Sequence, residues 1–147
     1  MIKSLTAILV VAAAFASGCA TAPMATSDQD QRAKTFETPP GKSNIYIYRN
    51  ESMGAAVSME VTLDGKTLGK TVAKSYFVVP VAPGKHTVVS KAENDTFVEV
   101  YAEASKNYFI WQEVKMGALY ARSQLHLMND AEGKAGVSEC KMLAPLP

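Results

Sequence analysis

Beyond residue 44, apolar and polar residues alternate with a period of two, and turn-forming dipeptides break this alternation at short intervals. In residues 58–63, for example, Met59, Val61 and Leu63 fall on one side of an extended chain, and polar side chains fall on the other. This period is typical of a half-buried β-strand, because successive side chains of a strand point to opposite faces. The chain is therefore expected to fold mainly as β-sheet.

The alternating segments predict seven or eight short strands, which favours an immunoglobulin-like β-sandwich. The predicted strands cover residues 45–50, 58–63, 66–72, 76–81, 86–91, 96–104, 108–114 and 119–128. Turns are expected at Asp64-Gly65, Pro83-Gly84 and Asn94-Asp95, whose residue types suit tight turns. Pro80 lies inside a predicted strand and indicates a sheet edge or a bulge, because proline lacks the N–H group that pairs strands.

The C-terminal segment departs from this period and predicts a short helix. Asp130 is the expected N-cap, and Val137 and Cys140 are three residues apart, so both can face the sheet. Gly133 and Gly136 fall inside the helix and are expected to weaken it, because glycine has a low helix propensity.

The N-terminus has the features of a signal peptide. Lys3 supplies a positive charge, and residues 5–16 form an apolar run of 12 residues. Such a run is too short to cross a bilayer, which takes about 20 residues, but fits the apolar region of a signal peptide. Residues 16–19, Ala-Ser-Gly-Cys, resemble the lipobox of bacterial lipoproteins. The resemblance implies removal of residues 1–18 and acylation of Cys19 on its thiol and its new amino group.

The residues around Cys19 also bear on where the protein resides. Ala16 stands where the lipobox usually has leucine, and Ala20 follows the cysteine. Aspartate after the cysteine retains lipoproteins in the inner membrane in enterobacteria-like sorting, so Ala20 favours the outer membrane, with the domain facing the periplasm. The alternative is ordinary secretion with cleavage elsewhere and no role for Cys19.

Residues 19–43 are expected to form a lipidated, flexible linker between the signal peptide at 1–18 and a β-sandwich domain at 44–147. Apart from Met24 and Phe36, this segment lacks large apolar side chains, so it buries too little surface to offset the entropy of ordering. A free coil of this length spans roughly 25–30 Å. Phe36 is the residue that can still dock on the domain.

Charge and cysteine content restrict the partners. Lys3 is the one charged residue among the first 18, so its removal leaves 14 basic and 14 acidic side chains. This balance argues against a nucleic-acid partner, which requires a basic surface, and leaves the lipid as the membrane attachment. With Cys19 acylated, Cys140 has no disulfide partner and is either a buried small apolar residue or a free thiol.

The sequence offers weak candidates for chemistry. His86, His126 and Cys140 are the candidate ligands of a metal site, although two ordinary strand histidines explain the pattern better. The carboxylate pairs are Glu93 with Asp95 and Glu99 with Glu103, and we interpret them as parts of solvated surfaces. The sequence has neither a G-x-S-x-G elbow nor a phosphate-binding glycine loop. We expect no catalytic residues, no metal and no cofactor.

The aromatic residues are the remaining candidates for a site. Phe109 and Trp111 share one face of a predicted strand, and Tyr108 and Ile110 share the other. Trp111 and Phe109 would form a binding surface if their face were exposed, since aromatic residues often anchor interfaces. The favoured interpretation is that the second sheet and the C-terminal helix cover both faces.

Four segments together resemble a known family. They are the tyrosine-rich strand at 45–49, the LDG…LG hairpin at 63–69, the PGKH turn at 83–86 and Tyr108-Phe109. Residues 43–143 resemble small bacterial lipoproteins grouped as domain of unknown function 2846, and are more distantly similar to PEGA-type domains. The resemblance implies a PEGA-like sandwich and a lipid anchor, but no activity. We expect a non-enzymatic envelope lipoprotein that binds another envelope protein; the alternative is a glycan- or small-ligand-binding module.

Replacing Cys19 with Ala removes the thiol that accepts the lipid. We expect the variant to lose acyl labelling and to leave the membrane fraction, because the mature charges balance and give no other attachment. Cell fractionation with labelled fatty acid measures both properties. Membrane retention and acyl labelling equal to those of the wild type would contradict the lipoprotein assignment.

Overall fold

A computed structural model describes residues 21–147, so the predicted signal peptide and Cys19 lie outside the described residues. The described chain forms two sheets and two short helices. The elements are α1 (Ser27–Ala33), β1 (Ser43–Arg49), β2 (Met59–Leu63), β3 (Lys66–Thr71), β4 (Ser75–Val81), β5 (Gly84–Lys91), β6 (Asp95–Ala102), β7 (Asn107–Met116), β8 (Ala121–Met128), α2 (Asp130–Ser138) and β9 (Lys141–Met142). The predicted fold class, a mainly β sandwich with a short C-terminal helix, is confirmed.

The larger sheet has the strand order β8-β7-β1-β4-β9, and the smaller sheet has the order β3-β2-β5-β6. Strand β1 lies in the middle of the larger sheet, antiparallel to β4 and parallel to β7. The parallel pairing joins strands that are far apart in the sequence. The local alternation of residues therefore predicts the strands but not this order.

Two sequence signals have the predicted structural role. Asp64 and Gly65 form the two-residue turn between β2 and β3, and both have positive φ (51° and 80°), as this type of hairpin turn requires. Pro80 pairs with β1 on one side, whereas β9 reaches only Ser75 and Tyr76 on the other. Pro80 thus lies on an open stretch of strand edge, where its missing N–H group costs no strand pairing.

The larger sheet is covered on both faces. All seven residues of β1 are buried. Ile45 and Ile47 contribute to the core between the sheets, and Tyr46 and Tyr48 contribute to a second apolar cluster beneath α2. The continuous apolar pattern of this strand follows from burial on both sides.

Helix α2 lies on the second cluster, and Val137 and Cys140 are both buried there, as predicted. The N-cap is Asn129 rather than Asp130, because the Asn129 side chain accepts a hydrogen bond from the Glu132 N–H at 2.9 Å. Among residues 21–147, no helix is long and apolar enough to cross a bilayer.

The segment before β1 differs from the expected flexible linker. Thr26 and Gln29 form a capping box that begins α1. The Phe36 ring lies 5.4 Å from that of Tyr46 and 5.8 Å from that of Phe109, measured between ring centroids. The segment docks because a few side chains contact the folded domain. Composition averaged over the segment does not reveal these contacts.

The glycines of α2 allow the helix to lie close to the sheet. A Cβ atom at Gly133 would lie 2.1 Å from the Phe109 ring, and one at Gly136 would lie 2.2 Å from the Tyr48 ring. Both distances are well below van der Waals contact. The two glycines thus lower the helix propensity of α2 but allow it to pack close to the sheet.

We expect Gly133→Ala and Gly136→Ala each to lower the free energy of unfolding by about 2 kcal/mol, because the clash outweighs the gain in helix propensity. Urea unfolding measures the change. Ala135→Gly on the exposed side of the same helix is the control, and should cost no more than about 1 kcal/mol. Stabilisation by either alanine variant would show that the helix does not pack as described.

Candidate functional site

An apolar cleft of about 830 Å³ lies at one end of the sandwich. Three connections meet there: the β1–β2 loop (residues 50–58), the β5–β6 turn (92–94) and the β7–β8 loop (117–120). Apolar side chains provide most of the lining, including Met53, Val57, Met116, Leu119 and Tyr120. Because loops tolerate residue changes that the core does not, binding residues are often placed on them.

The rim of this cleft exposes large apolar side chains. Exposed fractions are 57% for Met53, 83% for Met116, 85% for Leu119 and 74% for Tyr120. Single exposed apolar residues are common on proteins, but a contiguous group of them marks a binding site more often than chance. We name Met53, Met116, Leu119 and Tyr120 the apolar rim.

Arg49 holds the β1–β2 loop, which carries Met53 of the apolar rim. Its side chain is fully buried, and its guanidinium donates hydrogen bonds to the carbonyl oxygens of Val57 (2.8 Å), Gly54 (2.6 Å) and Met53 (3.3 Å). Burial lowers the pKa of Arg49, and the nearby Glu51 carboxylate opposes that shift. The buried cation thus organises the stretch 53–56, for which the sequence suggested no role.

Glu51 fixes the same loop to β7. Its Oε2 accepts a hydrogen bond from Trp111 Nε1 at 2.9 Å, and its Oε1 accepts one from the Val114 N–H at 2.6 Å. Both carboxylate oxygens are therefore engaged in holding the loop against the strand.

Glu93 holds the opposite side of the rim. Its Oε2 accepts hydrogen bonds from the N–H groups of Leu119 (3.2 Å) and Tyr120 (2.9 Å). These hydrogen bonds lower the pKa of Glu93. No local sequence pattern indicates this role of Glu93, because its two partners lie 26 and 27 residues further along the chain. The rim is thus held by specific polar contacts on both sides and is largely preformed.

The aromatic surface that the sequence suggested is not formed. Phe109 is 1% exposed, because Phe36 and helix α2 cover it. Trp111 is half-buried, stacks on His126 at a ring-centroid distance of 4.9 Å and uses its N–H group on Glu51. Trp111 therefore supports the β1–β2 loop. Helix α2 covers Phe109, whereas Trp111 remains partly exposed.

The histidines and Cys140 occupy separate places. His86 contacts an Asp64 oxygen and the Ala82 carbonyl oxygen, each at 2.6 Å. Burial lowers the pKa of His86, but its contacts with these two acceptors outweigh that effect and raise it overall. His126 contacts Glu113 at 2.8 Å on the other sheet.

Cys140 lies beneath α2, and burial raises the pKa of its thiol to about 12. Of the two alternatives, the buried apolar cysteine is the one that the structure supports. In the described part of the chain, no three His, Cys, Asp or Glu side chains lie close enough together to hold a metal ion.

The carboxylates of Glu99 and Glu103 each pair with a lysine. Glu99 pairs with Lys85 at 2.7 Å, and Glu103 pairs with Lys106 at 2.6 Å, all on exposed surfaces. The interpretation of Glu99 and Glu103 as parts of a solvated surface is confirmed.

The chain is similar in sequence to a protein family and to an uncharacterized relative. Residues 39–123 match the family model described as "protein of unknown function (DUF2846)". The chain belongs to the DUF2846 family. This DUF2846 chain is 31% identical over 138 residues to an uncharacterized protein of Haemophilus influenzae. The aligned region covers 92% of this chain and 82% of the relative. No solved structure matches. The matched family range contains all three loops of the cleft.

We expect Arg49→Leu to lower the free energy of unfolding by about 3 kcal/mol, because three loop carbonyls lose a charged donor. Faster hydrogen exchange of residues 51–58 should accompany the loss. Urea unfolding and exchange mass spectrometry measure the two effects.

Arg32→Leu is the matched control, since Arg32 is exposed on α1, and it should change stability by no more than about 0.5 kcal/mol. An Arg49→Leu variant with unchanged stability and unchanged exchange in the loop would show that Arg49 does not hold the rim.

Proposed function

We propose that this DUF2846 protein is a lipid-anchored, non-enzymatic envelope protein whose apolar cleft binds another envelope protein. The observation that carries the proposal is the apolar rim on loops that Arg49, Glu51 and Glu93 hold in place. The lipid attachment rests on the signal peptide and the lipobox at Cys19.

The composition of the rim favours a protein partner. Methionine side chains adapt to different surfaces, and tyrosine is common among the residues that dominate interface energies. The rim is wide and its side chains are largely exposed, which suits a partner that covers them from outside. Small molecules usually bind where most of their surface is enclosed.

The polar groups of the cleft do not favour catalysis. Glu93 uses an oxygen on the backbone of the rim, and neither histidine lines the cleft. Ser58 is also at the cleft, and the one carboxylate among the lining residues is Glu93. The Glu93 carboxylate is engaged with the N–H groups of Leu119 and Tyr120 instead of with a serine, as activation of a nucleophile would require. We therefore propose a binding role.

One observation favours a second candidate. The cleft volume of about 830 Å³ falls within the range of pockets that hold small ligands. An apolar ligand fits this lining better than a glycan, because Trp111 is occupied by Glu51 and His126 and is not presented for sugar stacking.

A photo-crosslinking residue at Leu119, in the full-length lipoprotein in cells, tests the proposal. We expect a discrete adduct. Its yield should fall about 30-fold when Met116 and Tyr120 are changed to Asp, because the loss of about 2 kcal/mol of binding free energy weakens affinity by about that factor. Phe97→Asp is the control, since Phe97 is 68% exposed on β6 and lies outside the cleft.

An adduct that persists in the Met116→Asp/Tyr120→Asp variant, or the absence of any adduct in cells, would overturn the partner proposal. Native mass spectrometry of the purified protein distinguishes the second candidate, because a bound apolar molecule appears there as added mass.

A further inference from the structure

We infer that the docked N-terminal segment holds the sandwich against the membrane surface, with the side formed by β3 and the C-terminal residues facing anionic phospholipid headgroups. The inference rests on the proposed lipid attachment at Cys19. It goes beyond that proposal, because attachment alone does not determine the distance or the orientation of the domain.

The start of the described chain is paired with its end. The Pro23 carbonyl oxygen accepts a hydrogen bond from the Ala144 N–H at 3.0 Å, and the Ala25 N–H donates one to the Met142 carbonyl oxygen at 3.0 Å. Met24 and Leu143 form an antiparallel bridge between these bonds. Residues 23–25 therefore lie as a short strand beside the C-terminal segment.

Asp30 provides a second attachment further along the segment. Its Oδ1 accepts hydrogen bonds from the Tyr76 hydroxyl at 2.8 Å and from the Met142 N–H at 2.9 Å, and its Oδ2 contacts Lys34 Nζ at 3.0 Å. Burial raises the pKa of Asp30, but these contacts outweigh it and lower the pKa overall. Lys34 also donates to the Cys140 carbonyl oxygen at 2.6 Å.

Docking of the segment shortens the connection to the lipid. Thr21 is two residues from Cys19, so their Cα atoms are at most about 7 Å apart. A free linker would instead place the domain roughly 25–30 Å from its anchor. The docked segment thus allows the domain to rest on the bilayer.

The surface beside Thr21 suits the membrane interface. A groove there is lined by Thr21, Pro23, Lys70 and Leu146, among others. Glu60 also lines the groove and pairs with Lys91 at 3.6 Å. Leu146 is 49% exposed, and Lys66 and Lys70 of β3 are exposed. Apolar side chains beside lysines match the boundary between acyl chains and anionic headgroups. Within residues 21–147, neither of these lysines has an ion-pair partner.

The apolar cleft shares no lining residue with this groove. Contact of the groove with lipid therefore uses none of the residues that line the cleft. A domain of this size is roughly 35 Å across, so a partner must present its contact surface within about that distance of the membrane. Membrane-embedded and membrane-attached proteins meet this condition.

Fluorescence quenching in vesicles tests the inference. The acylated full-length protein is placed in vesicles of phosphatidylethanolamine with a quarter phosphatidylglycerol and a headgroup spin-labelled lipid. A fluorophore is attached at Lys70→Cys or, as the matched control, at Tyr101→Cys on β6, the far edge of the smaller sheet. Cys140 is buried, and burial raises its thiol pKa, so we expect the fluorophore to label the introduced cysteine.

We expect quenching about fivefold stronger at position 70 than at position 101. The strand register separates the two positions by three strand spacings across the sheet and by six residues along it, which together amount to roughly 25 Å. Inserting twelve Gly and Ser residues between Ala20 and Thr21 leaves the docked contacts intact but lengthens the connection to the lipid. This insertion should reduce quenching at position 70 to the level at position 101.

Equal quenching at the two positions, or strong quenching at position 70 that survives the insertion, overturns the inference. Flotation of the vesicles and acyl labelling distinguish a failure of lipid attachment from a failure of the proposed orientation. A protein that floats and is acylated but shows no difference leaves lipid anchoring in place. A protein that is not acylated overturns both.

Discussion

Burial of β1 on both faces is the constraint on which the rest of this structure depends. Ile45 and Ile47 face the smaller sheet, and Tyr46 and Tyr48 need a separate cover. Helix α2 provides that cover and approaches closely through Gly133 and Gly136, while Phe36 fills the space beside it. The positions of α2 and of the Phe36 ring are therefore determined by the apolar surface that the central strand leaves exposed.

The same strand connects the core to the cleft. Arg49 ends β1, and its buried guanidinium satisfies the carbonyl groups of the loop that follows. A buried cation is costly unless hydrogen bonds surround it, so its presence at this end ties the loop conformation to the packing of the core. Glu51 and Glu93 extend this arrangement to the other loops. The apolar rim is thus supported by polar contacts that lie behind it and leave its exposed side chains available.

The segment before β1 shows how composition can mislead. Its residues are mostly small or polar, and α1 buries none of its side chains. Three kinds of contact nevertheless dock it: the pairing of Met24 with Leu143, the Asp30 carboxylate on Tyr76 and Met142, and the Phe36 ring. These contacts place residues 23–25 beside the C-terminal segment. The cleft and the groove are lined by different residues.

The sequence by itself determined the strands, the Asp64-Gly65 turn, the C-terminal helix and the family, because alternation and turn chemistry are local and can be read within a few residues. Only the tertiary structure decided the parallel pairing of β1 with β7, the burial of Phe109 and the roles of Asp30 and Glu93. Glu93 accepts from residues 26 and 27 positions away, and Asp30 accepts from Tyr76 and Met142, which are 46 and 112 positions away. Contacts of that kind depend on how separate elements meet, and no local pattern of residue types encodes them.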